Sequence, residues 1–169
     1  MKTVQLNNAE FLPYVCTLVQ EGHQVAIRAK GNSMRPFLES NRDTAVLSRA
    51  TAYRQGDVVL AEIEPGHYVL HRIDQIRDAH GQRIKAACND PEAQVTLRGD
   101  GNPRGTESCR LQDLRATCSQ FVRKGKTWNT RSHLWKVYSY LWPLLLPVRR
   151  YLLALYRLLW LHQLPQRWT

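Results

Sequence analysis

Between residues 23 and 98 the chain is a succession of short β-branched runs separated by turn formers, and no other feature constrains its fold as tightly. The runs cover 23–29, 44–47, 57–63, 68–74, 82–87 and 94–98, punctuated by Glu64-Pro65-Gly66, His80-Gly81 and Asn89-Asp90-Pro91. In the first, Val25 and Ile27 fall on one face, the period-two pattern of a half-buried strand. Many short strands at this spacing predict a mainly β fold, a β-sandwich or a partly open barrel. Ahead of them Asn8 caps a predicted helix over 9–21, with Phe11, Val15, Leu18 and Val19 on one stripe and Gly22 at its end. Pro13 stands in its second turn and works against it. No internal repeat or low-complexity segment interrupts the pattern.

A chain of 169 residues holds one domain and at most an appendage. The net charge of +10 is divided unevenly. Residues 1–113 carry 14 Lys+Arg against 14 Asp+Glu, whereas 114–169 carry 10 Lys+Arg and no acid. All five tryptophans (Trp128, Trp135, Trp142, Trp160 and Trp168) lie in that last third. The break falls at Arg123-Lys124-Gly125-Lys126 and divides the chain into a lead-in (1–30), a core (31–124) and a basic tail (125–169).

From 134 to 164 the tail is mostly Leu, Trp, Tyr and Val, interrupted by Lys136, Pro143, Pro147, Arg149, Arg150 and Arg157. A bilayer span needs about 20 apolar residues, and each arginine near the centre costs on the order of 2.5–3.5 kcal/mol. The predicted arrangement is therefore two amphipathic helices, 132–146 and 148–162, lying in the interface of an anionic membrane through 132–163. Arg150 and Arg157, seven apart, share a helix face. Packing on the β-domain or on a second subunit, as a homo-oligomer, is the alternative. The long leucine runs favour lipid or protein over phosphate, so nucleic acid is not an expected partner.

Cys16, Cys88, Cys109 and Cys118 show neither CxxC nor metal-ligand spacing and read as reduced structural thiols. His23, His67, His80, His133 and His162 form no pair with ligand spacing, so no metal or cofactor is expected. Residues 1–8 lack the apolar core of a signal peptide, and the expected location is cytoplasmic, peripheral to the membrane.

Chemistry is concentrated in two places. Ser33 sits in the turn Gly31-Asn32-Ser33-Met34-Arg35-Pro36, and His71 in the strand Tyr68-Val69-Leu70-His71-Arg72-Ile73. A serine hydroxyl becomes a nucleophile only with a base in hydrogen-bond reach, and imidazole, with an ordinary pKa of about 6.5, is suited to take and return a proton at neutral pH. Val69, His71 and Ile73 share one strand face, which shields the base among apolar neighbours, while Leu70 and Arg72 share the other. Gly56-Asp57 reads as a turn entering a strand, so Asp57 is structural.

Four segments in order, GNSMRP (31–36), QGDVVL (55–60), VLHRI (69–73) and RGDGN (98–102), resemble the type I signal peptidase superfamily, which includes the self-cleaving domains of LexA-type repressors. The resemblance covers roughly 28–114 and implies a signal-peptidase/LexA-like β core. Bacterial signal peptidases and LexA-type domains carry a lysine base where this chain has His71; the endoplasmic reticulum and archaeal branch carries histidine. By this likeness Ser33 is the nucleophile, His71 the base and Asp100 the acidic residue of the Gly-Asp-Asn segment. The histidine branch usually has a further Asp beyond that segment, where this chain reads Pro103-Arg104-Gly105-Thr106-Glu107. The orienting carboxylate is then Asp100 or Glu107, with Asp100 favoured. Gly31 replaces a hydroxyl residue that helps bind the oxyanion in many members. That role passes to backbone N–H groups of the Gly31-Asn32-Met34 turn with the Asn32 side chain. No apolar run within residues 1–30 is long enough to be the family's usual N-terminal anchor. The implied activity is a serine endopeptidase that cleaves a peptide or protein precursor near the cytoplasmic membrane surface. A LexA-like self-cleaving or regulatory module and an inactive membrane-binding scaffold are the competing readings.

Overall fold

The computed structural model describes residues 8–102 and 104–161, with the side chains of 8–10, 160 and 161 excluded. The Asn8 cap, residues 1–7, Pro103, His162 and Trp168 therefore fall outside the described structure. Along the chain run α1 (Asn8–Gln20), β1 (Val25–Arg28), β2 (Thr44–Ser48), β3 (Val58–Glu64), β4 (His67–Arg77), β5 (Arg83–Ile84), β6 (Gln94–Arg98) and β7 (Glu107–Arg110). A 3₁₀ turn (Leu111–Asp113) leads to β8 (Leu114–Arg123), β9 (Lys126–Asn129), α2 (His133–Leu144) and α3 (Leu146–Leu161). The fold is mainly β, as predicted.

Among the described residues nine strands form one open antiparallel sheet, in the order β1-β2-β8-β3-β4-β6-β7, with β5 on β4 and β9 on β8. It is not a closed barrel. β3 is buried without a break from Val58 to Ala61 because it has a core on each face. Val58 and Leu60 join the cluster of Val15, Met34, Leu38, Leu47 and Phe121. Val59 and Ala61 join the cluster of Ile73, Ile76, Val95 and Leu97.

Every strand run read from the sequence is found, with β4 reaching on to Arg77 and β5 reduced to two residues. Three strands beyond the reading complete the sheet: β7, β8 and β9. Arg123-Lys124-Gly125-Lys126, read as a joint between two units, is a hairpin in which Arg123 pairs with Lys126. Lys124 and Gly125 take the positive φ values of 49° and 76° that such a two-residue turn requires. α1 ends at Gly22 as expected, with φ 96° and the His23 N–H bonded back to Leu18 O at 3.0 Å. Ser132 caps α2 by accepting the Trp135 N–H.

α2 packs on the sheet, and α3 on α2 and the 31–43 loop, through one side each. Trp135 enters an aromatic cluster with Phe37 (ring centroids 4.3 Å apart) and Phe121 (4.9 Å). The Tyr156 hydroxyl of α3 hydrogen-bonds the buried Glu39 carboxylate, which also accepts from Arg35 Nε at 3.0 Å.

Candidate active site

The Ser33 turn is anchored from below by Met34 and Leu38, both buried in the core that β2, β3 and β8 build. Within it the Arg35 N–H bonds Asn32 O at 3.2 Å and the Leu38 N–H bonds Met34 O at 2.9 Å. Gly31, at φ 86°, takes a conformation that an L side chain resists. Its N–H donates to Ser40 Oγ at 3.1 Å, so the expectation that Gly31 supplies an oxyanion donor is corrected: that group is already engaged in closing the loop. Asn32 is exposed, and Met34 serves as a buried plug.

The segment 99–101 lies against this turn backbone to backbone. The Gly101 N–H donates to Ser33 O at 2.7 Å. A Cβ at Gly101 would stand 2.6 Å from Asn32 O, and one at Gly99 would stand 2.5 Å from Ser33 O and 3.1 Å from His71 Nε2. Glycine is required at both positions by contact distance. The same measurement shows that His71 Nε2 and the Ser33 peptide flank one small space beside Gly99.

His71 is 4 % exposed and sits mid-strand in β4. Its Nδ1 lies 2.8 Å from Glu107 Oε2. Register explains the contact: Ile73 pairs with Leu97 across β4–β6, and Leu97 with Glu107 across β6–β7. Glu107 therefore shares a row with Ile73, two residues from His71 on the same face, close enough for its side chain to reach the ring. A carboxylate only accepts, so Nδ1 is the donor to Glu107, and Nε2 is the ring nitrogen that faces Gly99.

Asp100 does not orient His71, contrary to the favoured expectation. Its carboxylate is bound bidentately by Arg72, Nε to Oδ1 at 2.8 Å and Nη2 to Oδ2 at 2.7 Å, and it accepts from the Tyr138 hydroxyl at 3.1 Å. The physical reason is the strand alternation: Arg72 points to the face opposite His71 and draws Asp100 with it. Arg72 Nη1 donates to Gly56 O at 2.8 Å and to Ser139 Oγ at 2.7 Å. Its guanidinium lies 4.8 Å from the Trp135 ring centroid. Burial opposes its charge, but the Asp100 carboxylate outweighs that and holds its pKa above the ordinary value. Trp142 Nε1 donates to Asp100 O at 3.1 Å, so α2 grips the segment 99–101 by side chain and by backbone. Burial, with Asp100 alongside, raises the Tyr138 phenol pKa and keeps it a donor.

Asp57 accepts the Arg54 N–H at 2.8 Å in the turn before β3, the structural place expected of it. Sequence reasoning missed Arg72, Tyr138, Ser139 and Trp142. For Arg72 a signal existed, since a charge set between apolar residues on a strand face must be paired. For the α2 residues none did.

A groove of about 410 Å³ runs beside the turn, lined by Pro36, Phe37, Trp128, Leu134, Trp135 and Tyr138, with Arg123 at its edge. It is wide enough for an apolar side chain of a bound peptide. The arrangement supplies a hydroxyl on an anchored turn, a buried imidazole with one nitrogen held by a carboxylate, and an apolar groove that starts at Pro36 and Phe37 of the same turn.

Compared with known proteins, a family model described as peptidase S24-like matches residues 2–97, the stretch holding both Ser33 and His71. No curated protein and no solved structure matches the chain.

Proposed function

We propose, from the premise that this chain belongs to the peptidase S24-like family, that it is a serine endopeptidase in which Ser33 is the nucleophile, His71 the general base and Glu107 the carboxylate that positions it. Membership supports a serine peptidase or a LexA-like module. The observation that carries the finer reading is the 2.8 Å contact from His71 Nδ1 to Glu107, with Nε2 turned to the Ser33 side of the ring.

In this mechanism Nε2 takes the Ser33 hydroxyl proton as Oγ attacks the scissile carbonyl carbon. The imidazolium that forms is stabilised by Glu107 through the Nδ1–H bond. Nε2 then returns the proton to the leaving amine, and the acyl group remains on Ser33 as an ester. Water, deprotonated by the same nitrogen, releases the acid and restores the hydroxyl. Backbone N–H groups of the turn, with the exposed Asn32 amide nearby, serve the oxyanion. The apolar groove takes a side chain of the substrate, a peptide or protein precursor.

The test uses a proteome-derived peptide library incubated with the full chain, with new termini read by mass spectrometry. The expected result is a set of cleavages absent with Ser33→Ala, sharing an apolar residue near the cut. Cleavages that persist in Ser33→Ala would overturn the reading, as would none with the wild-type chain.

A further inference from the structure

α2 and α3 are apolar on two sides, and only one side of each is covered. Trp135, Trp142, Arg149 and Leu153 are buried against the sheet or against each other. On α2 the residues Leu134, Val137, Tyr140, Leu141 and Leu144 recur at three- and four-residue spacing and are 47–70 % exposed. On α3 Val148, Tyr151, Leu152, Leu155, Leu158 and Leu159 do the same at 38–60 %. A soluble helix ordinarily sets its polar residues on the face turned from the core. Here that face is hydrocarbon, far more than scattered surface leucines account for.

We infer that the outer face of α2 and α3 docks flat on an anionic lipid surface. Charge selects the partner. Residues 124–161 expose Lys124, Lys126, Arg131, Lys136, Arg150 and Arg157, keep Arg149 buried, and contain no acid at all. A second copy seated on this face would bring the same cations against it, whereas anionic headgroups oppose them. Placement agrees. Arg150 and Arg157 are exposed and lie on one stripe between the buried and the apolar arcs of α3, where their stems can lie along the acyl boundary and their guanidinium groups meet phosphates. Trp128, 42 % exposed on the strand after the Lys124-Gly125-Lys126 turn, adds an aromatic ring of the kind that settles at headgroup depth. Docking, not spanning, follows from length: the 16 residues of α3 cover about 24 Å, short of a hydrocarbon core of about 30 Å. Among the described residues no helix is long and apolar enough to cross a membrane.

The inference does not depend on the peptidase reading, and its test reads partition, not cleavage. The full chain is floated with vesicles of phosphatidylcholine alone and of phosphatidylcholine with a quarter phosphatidylglycerol, at low and high salt. Preferential binding to the anionic vesicles, weakened by salt, is expected. Each basic residue at such a surface is worth about a factor of five, so Arg150→Gln with Arg157→Gln lowers partition by more than about tenfold. Leu141→Asp with Leu155→Asp abolishes it while the circular dichroism spectrum is kept. Failure to bind anionic vesicles at low salt overturns the inference. So does a stable dimer in light scattering that either pair of substitutions dissociates, which would assign the face to a second copy.

Discussion

Glu107 and Asp100 are both carboxylates near His71, and their surroundings give them different work. Glu107, with its side chain 29 % exposed, contacts the imidazole. Asp100 is buried with Arg72 in a pair that also holds Tyr138. On the proposed mechanism, substituting Glu107→Gln removes the anion that steadies the imidazolium. It lowers kcat by about 10²-fold or more, with the unfolding free energy within about 1 kcal/mol of wild type. Substituting Asp100→Asn strands the buried Arg72 charge and costs on the order of 3–5 kcal/mol in stability. Denaturant unfolding and cleavage rates measured on both variants separate the roles. Full stability with lost catalysis in Asp100→Asn, and the reverse in Glu107→Gln, would exchange them.

At the scale of elements, α2 belongs structurally to the core. Trp135 fills the space over Phe37 and Phe121 and stacks on Arg72, so Trp135→Ala is expected to cost about 3–5 kcal/mol. Trp128→Ala, on the exposed β9, changes stability by less than about 1 kcal/mol. Urea midpoints of the two variants check the contrast, and equal effects would contradict the placement of α2. The sequence showed the helices themselves, because their apolar residues have a helical period, but it did not show what they pack on. It showed β1 to β6 through β-branched runs set off by Pro and Gly. β8 escaped for a physical reason: its buried residues Leu114, Ala116, Cys118 and Phe121 change period where a bulge shifts its pairing with β2. β7 buries Cys109 alone. Ser33 and His71 were legible because local motifs carry them. The choice of Glu107 over Asp100 was not, because it rests on register across three strands.

For the whole molecule, two carboxylates give stability opposite dependences on pH. Burial raises the pKa of Asp57 above the ordinary carboxylate value, so its folded-state contribution is present in acid and is lost as pH rises through that raised value. For Asp43 burial pushes the same way, but Arg42 and the Glu39 N–H outweigh it and hold the pKa low. Its contribution is present above the ordinary value and is lost as pH falls through the lowered one. At pH 7, then, Asp57→Asn raises the urea midpoint, since the amide oxygen still accepts from Arg54, and Asp43→Asn lowers it. Shifts of the same sign would contradict this assignment. On the proposed mechanism Ser33 and His71, whose peptide and Nε2 both face Gly99, act as one unit. The most direct measurement of that claim is a double-mutant cycle on a peptide the full chain cleaves. Groups that act together lose activity non-additively, so Ser33→Ala, His71→Ala and the double variant all fall to the same residual rate. A Ser33→Ala rate near wild type, or losses that simply multiply in the double variant, would contradict it.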